Sequence, residues 1–133
     1  MKHFYKENVF PNEAFIQEAL EKYFIGNGYE VDNEQQVDLI AVKSPETWLI
    51  EAKGITSQVG LDFNTCIGQI VKHMDSDSKI YAIAVPMHVK YQKQCSFLSS
   101  YFREWVNLNI LLVNELGEVQ RIRPNEDTDE YWK

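Results

Sequence analysis

Apolar and polar positions alternate along this chain with two different periods, and the switches between them divide it into elements. From Asn12 to about Ile25, Phe15, Ile16, Ala19, Leu20, Tyr23 and Phe24 recur at the spacing of one helical face. Asn12 stands where a helix cap belongs, and Gly26-Asn27-Gly28 supplies the stop. Tyr29-Glu30-Val31-Asp32 reads as a short strand, followed by a polar bend from Asn33 to Gln36. Val37 to Val42 (V-D-L-I-A-V) and Trp48 to Gly54 (W-L-I-E-A-K-G) read as two further strands. The connection Lys43-Ser44-Pro45-Glu46-Thr47 has turn chemistry and ordinary hairpin length, which predicts antiparallel pairing.

The second half has a different rhythm. After a loop from Ile55 to Gly60, Leu61, Ile67, Ile70, Val71 and Met74 mark a helix over about Leu61 to Met74. Gly68 inside it costs about 1 kcal/mol relative to alanine, which suggests close packing beside Gln69. Lys79 to Val85 is a nearly continuous buried strand ended by Pro86. Val89 to Val106 is expected to be one helix, with Phe97, Leu98, Tyr101, Phe102 and Trp105 packing inward. Asn109 to Asn114 is another buried strand, and Val119 to Ile122 returns after a turn as an edge strand. Strands separated by helices need crossover connections, so the expected fold is α/β: a central mixed sheet with helices on both faces.

Composition narrows the class. The 133 residues, 44% hydrophobic and 13% aromatic, suit one domain with one core. No apolar run approaches a membrane span, and the start M-K-H-F-Y-K-E-N lacks the apolar core of a signal peptide. Cys66 and Cys95 have no metal-finger or redox spacing, which predicts reduced packing thiols in a cytoplasmic protein. The net charge of −7 argues against a large, nonspecific nucleic-acid surface, while leaving room for a local contact to phosphate. Part of that charge lies in an acidic C-terminal tail over about 124–133, where Asn125 to Glu130 is expected to be solvated and mobile.

Candidate chemistry gathers at the hairpin. Side chains alternate along a strand, so Glu51 and Lys53 share one face with Leu49, while Ile50 and Ala52 share the other. Pairings whose residue numbers sum to 89 or 91 place Asp38 opposite Glu51 or Lys53. Directly opposed Cβ atoms lie roughly 4.5–5.5 Å apart. Two carboxylates that close repel unless a cation neutralises them, a geometry that suits a divalent metal ion. A bare D…E-x-K also fits an ion pair at a strand end; the order of the surrounding elements separates the two.

That order resembles the PD-(D/E)XK nuclease superfamily, the restriction-endonuclease-like fold, in particular its small resolvase-like members. The matching parts are Glu13 in N-E-A-F-I-Q, Asp38 in V-D-L-I, Glu51 and Lys53 in I-E-A-K-G, and Gln69 in G-Q-I, over roughly Asn12 to Arg123. Val37 replaces the motif's proline before Asp38. The resemblance implies a single nuclease-like domain over 1–133 that hydrolyses DNA phosphodiester bonds as a Mg²⁺-dependent endonuclease, with Mn²⁺ as a substitute. It implies Asp38, Glu51 and the Ala52 carbonyl as metal ligands, and Lys53 as the group that orients water and stabilises charge. Glu13 would hold a second metal or a water, and Gln69 would orient a water or phosphate oxygen. A homodimer is implied by the need to cut two strands.

Two other classes compete. A catalytically inactive nuclease-like scaffold is compatible with the acidic surface, although the intact Asp38, Glu51 and Lys53 set argues against it. A small-molecule enzyme built on His3, His73 or His88 has no supporting ligand spacing.

Overall fold

The computed structural model describes residues 9–33 and 36–132; His3, Glu34 and Gln35 lie outside them. The chain runs α1 (Glu13–Gly26), β1 (Glu30–Asp32), β2 (Leu39–Lys43), β3 (Glu46–Ala52), α2 (Val59–Val71), β4 (Ile80–Pro86), α3 (Val89–Ser96), α4 (Ser100–Val106), β5 (Leu108–Val113) and β6 (Val119–Ile122). A 3₁₀ helix, Thr128–Trp132, follows. The strands form one six-stranded sheet in chain order. β1–β2, β2–β3 and β5–β6 pair antiparallel, whereas β3–β4 and β4–β5 pair parallel. The two parallel steps are those whose connections contain helices, α2 in one and α3 with α4 in the other.

Strand alternation distributes the core between the two faces. Trp48, Ile50 and Ala52 of β3 join Ala82, Ala84, Leu111 and Val113 beneath Ile16, Leu20 and Phe24 of α1. The alanines at 52, 82 and 84 keep that face low where the helix crosses it. Leu49, Tyr81, Ile83, Val85, Ile110 and Leu112 project to the other face, against Phe63, Cys66 and Ile70 of α2 and Tyr91 and Cys95 of α3. Helices therefore cover both faces of a mixed sheet, the expected α/β architecture. Among the described residues no helix is long and apolar enough to cross a membrane.

Four local expectations are corrected. The hairpin connection is shorter than five residues: Lys43 pairs with Glu46, leaving Ser44-Pro45 as the turn. The long helix over 89–106 is two helices, because Ser99 Oγ accepts from the Phe102 N–H and starts α4 afresh. That restart turns the aromatic row outward: Phe97, Tyr101 and Trp105 are exposed, Trp105 by 75%, while Leu98 and Phe102 are partly buried. Arg103 takes the inward position instead.

The acidic tail keeps Asn125, Asp127, Asp129 and Glu130 exposed, as expected, but it is anchored and not a free extension. The buried Arg103 donates to the carbonyls of Leu98, Arg123 and Glu126, at 2.7 and 2.8 Å for the first two. Tyr131 and Trp132 pack on the core face that holds Tyr91 and Cys95. Gly68, finally, is not a close-packing site, since a Cβ there would meet nothing within 4 Å.

Candidate active site

The register of the hairpin decides how its carboxylates meet. Leu39 pairs with Ile50 and Ile40 with Leu49, so one further step brings Asp38 opposite Glu51. Asp38 sits in the bend just before β2, and its Oδ2 accepts the Ala52 N–H at 2.8 Å. Glu51 is 2% exposed, and its carboxyl group shares a hydrogen bond with that of Asp38. Burial first, then the hydrogen bond and charge of Asp38, push the Glu51 carboxyl up to about 8; the Lys53 ammonium pulls the other way. Near neutral pH the metal-free pair therefore holds a proton.

Lys53 lies one step past β3, half-buried, with its N–H bonded to the Ala84 carbonyl at 3.0 Å. Its main chain thus extends the parallel pairing with β4 and holds the residue at the strand's end.

The next residue explains how α1 reaches the same edge. A Cβ on Gly54 would lie 2.2 Å from the Glu13 nitrogen and 2.6 Å from the Asn12 carbonyl carbon. Only glycine leaves room for the start of α1 here. The Ile55 N–H donates to the Pro11 carbonyl at 3.0 Å, and the buried Tyr91 hydroxyl donates to the Gly54 carbonyl at 2.8 Å. The end of β3 is therefore held between the start of α1 and α3. Glu13 is exposed, accepts from Gln17 Nε2 at 3.4 Å, and adds its negative charge to those raising Glu51. Glu18 instead pairs with Lys22 at 3.0 Å.

Gln69 stands apart from this group. It is exposed on α2, immediately before the buried Ile70, and among the described residues no hydrogen bond joins it to either carboxylate. From α2, the Cys66 thiol donates to the Glu51 carbonyl at 3.7 Å. Burial, reinforced by Glu51, pushes that thiol well above its usual range, which fits a packing residue. His88 Nδ1 accepts from the Lys90 N–H at 3.1 Å and caps α3. Among the described residues no group of three His, Cys, Asp or Glu side chains is arranged around a metal position. Oxygen donors at the site are thus the paired carboxyls of Asp38 and Glu51 with neighbouring main-chain carbonyls.

Gly54 and Tyr91 are the site residues that the sequence pattern does not reveal. Tyr91 reads as one more apolar position of a helix, and its partner lies 37 positions away. Gly54 follows the E-x-K run, but the helix start it admits is far off in sequence.

Solved structures share this fold. An XisH family protein from Nostoc punctiforme PCC 73102 superimposes with a TM-score of 0.60 at 14% identity, over 81% of this chain and 98% of that one. An FdxN element excision controlling factor protein from Anabaena variabilis gives 0.58 at 15% identity, over 83% and 99%. At such identity the likeness speaks to architecture alone. No protein-family model and no curated protein matches the sequence.

Proposed function

We propose that this chain is a metal-dependent nuclease that hydrolyses DNA phosphodiester bonds, with Asp38, Glu51 and Lys53 at its centre. The supporting observation is the hydrogen-bonded pair of the buried Glu51 and the partly buried Asp38, with Lys53 two positions past Glu51, just beyond the end of β3. In a structural ion pair the lysine would dominate and hold its glutamate below the usual carboxylate range. Glu51 is pushed to about 8 instead, because burial and Asp38 outweigh Lys53. A carboxyl pair of this kind gains most from a cation that replaces the proton between its members.

The donor chemistry fits Mg²⁺ or Mn²⁺. Asp38 and Glu51 would hold the ion with the Ala52 carbonyl, all hard oxygen donors. When bound, such an ion supplies Lewis acidity toward a phosphate oxygen and lowers the pKa of a water.

The chain's own groups do the rest. The Ala52 N–H fixes the Asp38 carboxylate, and Glu51 gives up its proton as the ion is loaded. Lys53 orients the attacking water and stabilises negative charge developing on the phosphate. Glu13, exposed at the start of α1 beside the end of β3, would hold a further water or second cation. Gln69 serves a phosphate oxygen of a substrate lying across α2. A homodimer would supply the two sites that a double-strand cut needs. One structural neighbour is described as a factor controlling the excision of an element, and an activity on DNA suits that association. We place the activity in the cytoplasm, where Cys66 and Cys95 remain the free thiols they are here.

A silent scaffold is the second reading. It draws on the net charge of −7 and on the finding that, among the described residues, no three His, Cys, Asp or Glu side chains surround a metal position. Incubation of supercoiled, linear and branched DNA with Mg²⁺ or Mn²⁺ separates the two. The nuclease reading expects cleavage by the wild type and none by Glu51→Ala; no cleavage of any substrate favours the scaffold.

A further inference from the structure

A second concentration of charge lies away from the carboxylates, on the other face of the sheet. Trp48 belongs to the face covered by α1, whereas alternation along β3 sends Glu51 to the face covered by α2. Beside Trp48 is a cavity of about 150 Å³, walled by Tyr23, Asn27, Tyr29, Lys43, Trp48 and Arg121. A water's share of liquid volume is about 30 Å³, so the space admits a group several times larger.

Its cations are held in place. Arg121 Nε donates to Asn109 Oδ1 at 2.8 Å, and the fully buried Asn109 is itself anchored to the Tyr81 carbonyl at 3.2 Å. The guanidinium carbon lies 4.8 Å from the centre of the Trp48 ring. Stacked on that ring and fixed through Nε, Arg121 keeps both terminal nitrogens without a hydrogen-bond partner among the described residues. Lys43 Nζ donates to the Asn27 carbonyl at 3.0 Å and lies 5.5 Å from the centre of the Tyr29 ring. Glu46 is the nearby counter-charge, and one of its oxygens is engaged by the Tyr29 hydroxyl and by Trp48 Nε1. Two cations therefore face one carboxylate, in a chain whose net charge is −7.

We propose that this cavity is a binding site for a phosphate or phosphomonoester group, held by the terminal nitrogens of Arg121 and the ammonium of Lys43. The planar guanidinium presents paired donors that match two phosphate oxygens, and the ammonium adds a point charge. The Trp48 and Tyr29 rings line the cavity beside the two cations. Burial and then the neighbouring Arg123 hold the Arg121 guanidinium below its usual range, a cost that a bound anion relieves. The site stands independently of the phosphodiesterase reading.

Calorimetric titration of inorganic phosphate, at ionic strength held constant with chloride, reads the site directly. The wild type should bind saturably, and both Lys43→Gln and Arg121→Gln should bind at least ~10-fold more weakly. The exposed Lys43 position carries the test even if losing the Arg121–Trp48 stack disturbs folding. A parallel arm compares one oligonucleotide with and without a 5′-phosphate, in the absence of divalent cations. Tighter binding of the phosphorylated form identifies a chain-end phosphate as the natural source; binding of inorganic phosphate alone identifies the free anion. No saturable binding of either phosphate probe by the wild type, or wild-type affinity retained by either variant, overturns the proposal.

Discussion

The main-chain N–H of Ala52 donates to the Asp38 carboxylate at 2.8 Å, tying the residue before β2 to the middle of the E-A-K run. This bond sets Asp38 beside Glu51 without using Lys53, so the lysine remains available to a substrate. It also predicts an asymmetry between the two acids. Asp38→Asn retains an oxygen for the Ala52 N–H while removing the negative charge beside the Glu51 carboxyl. Above about pH 8, where the wild-type pair loses its shared proton, the metal-free variant should be slightly more stable than the wild type, and its Glu51 carboxyl should titrate lower. Because burial is the largest cause of the shift, Glu51 should still remain above an ordinary glutamate. Carbon-detected NMR titration of the glutamate side chains measures this.

The same shift gives the metal-free protein a characteristic pH dependence. Glu51 is raised from 4.5 to about 8 in the folded state, so the folded chain holds this proton more tightly than the unfolded chain. The contribution is fully present below about pH 4.5 and is lost as pH rises through about 8. Calorimetric melting between pH 5 and pH 8.5 should show a falling Tm, flattened by Glu51→Gln, which remains neutral throughout. A saturating divalent cation should also oppose the fall, since it binds the deprotonated pair.

Gly54 and Gly68 should respond to alanine with opposite signs. At Gly54 the added carbon would lie 2.2 Å from main chain, so α1 or β3 must shift. Destabilisation of about 1–3 kcal/mol or more is expected, as for overpacked cores. Gly68 is exposed in the last turns of α2, with open space around it, and alanine there should stabilise by about 0.5–1 kcal/mol. Urea unfolding of both variants checks the pair.

Arg103 and Trp105 test the rephased helix. Replacing Arg103 by Met leaves three carbonyls without their donor, at a cost of about 1–3 kcal/mol for each one kept from water. Hydrogen exchange should then accelerate in Thr128–Trp132, which depends on that clamp. Trp105→Ala, at a side chain 75% exposed, should alter stability by no more than about 0.5 kcal/mol.

The parts of the fold legible in the sequence are those fixed by local periodicity. Alternation along V-D-L-I-A-V and W-L-I-E-A-K-G leads to the hairpin, and the observed register follows one of the two odd-sum pairings that bring Asp38 toward Glu51 or Lys53. The apolar stripe of α1 and the buried strands β4 and β5 are equally local. What escaped reading depends on distant partners. The run S-F-L-S-S contained a new helix cap at Ser99, but a continuous apolar count passes over it. The charged side chains of Asp127, Asp129 and Glu130 in the acidic tail are exposed as they read, but what secures the tail is main-chain carbonyls reached by Arg103, which side-chain pattern does not show. Gly54 and Tyr91 share this difficulty, since each is explained by a neighbour on another element. For Gln69, the fold gives its position on α2 and an exposed side chain, while its role depends on where a substrate lies.

Divalent-metal binding tests the central proposal most directly. Mg²⁺ and Mn²⁺ should be titrated calorimetrically into the wild type, Asp38→Asn and Lys53→Ala, with Tm followed in parallel. The nuclease account predicts saturable binding and a raised Tm in the wild type, loss of both in Asp38→Asn, and retention of both in Lys53→Ala alongside a fall in DNA hydrolysis. No metal-dependent heat or Tm shift in the wild type at millimolar Mg²⁺ and Mn²⁺ would contradict it.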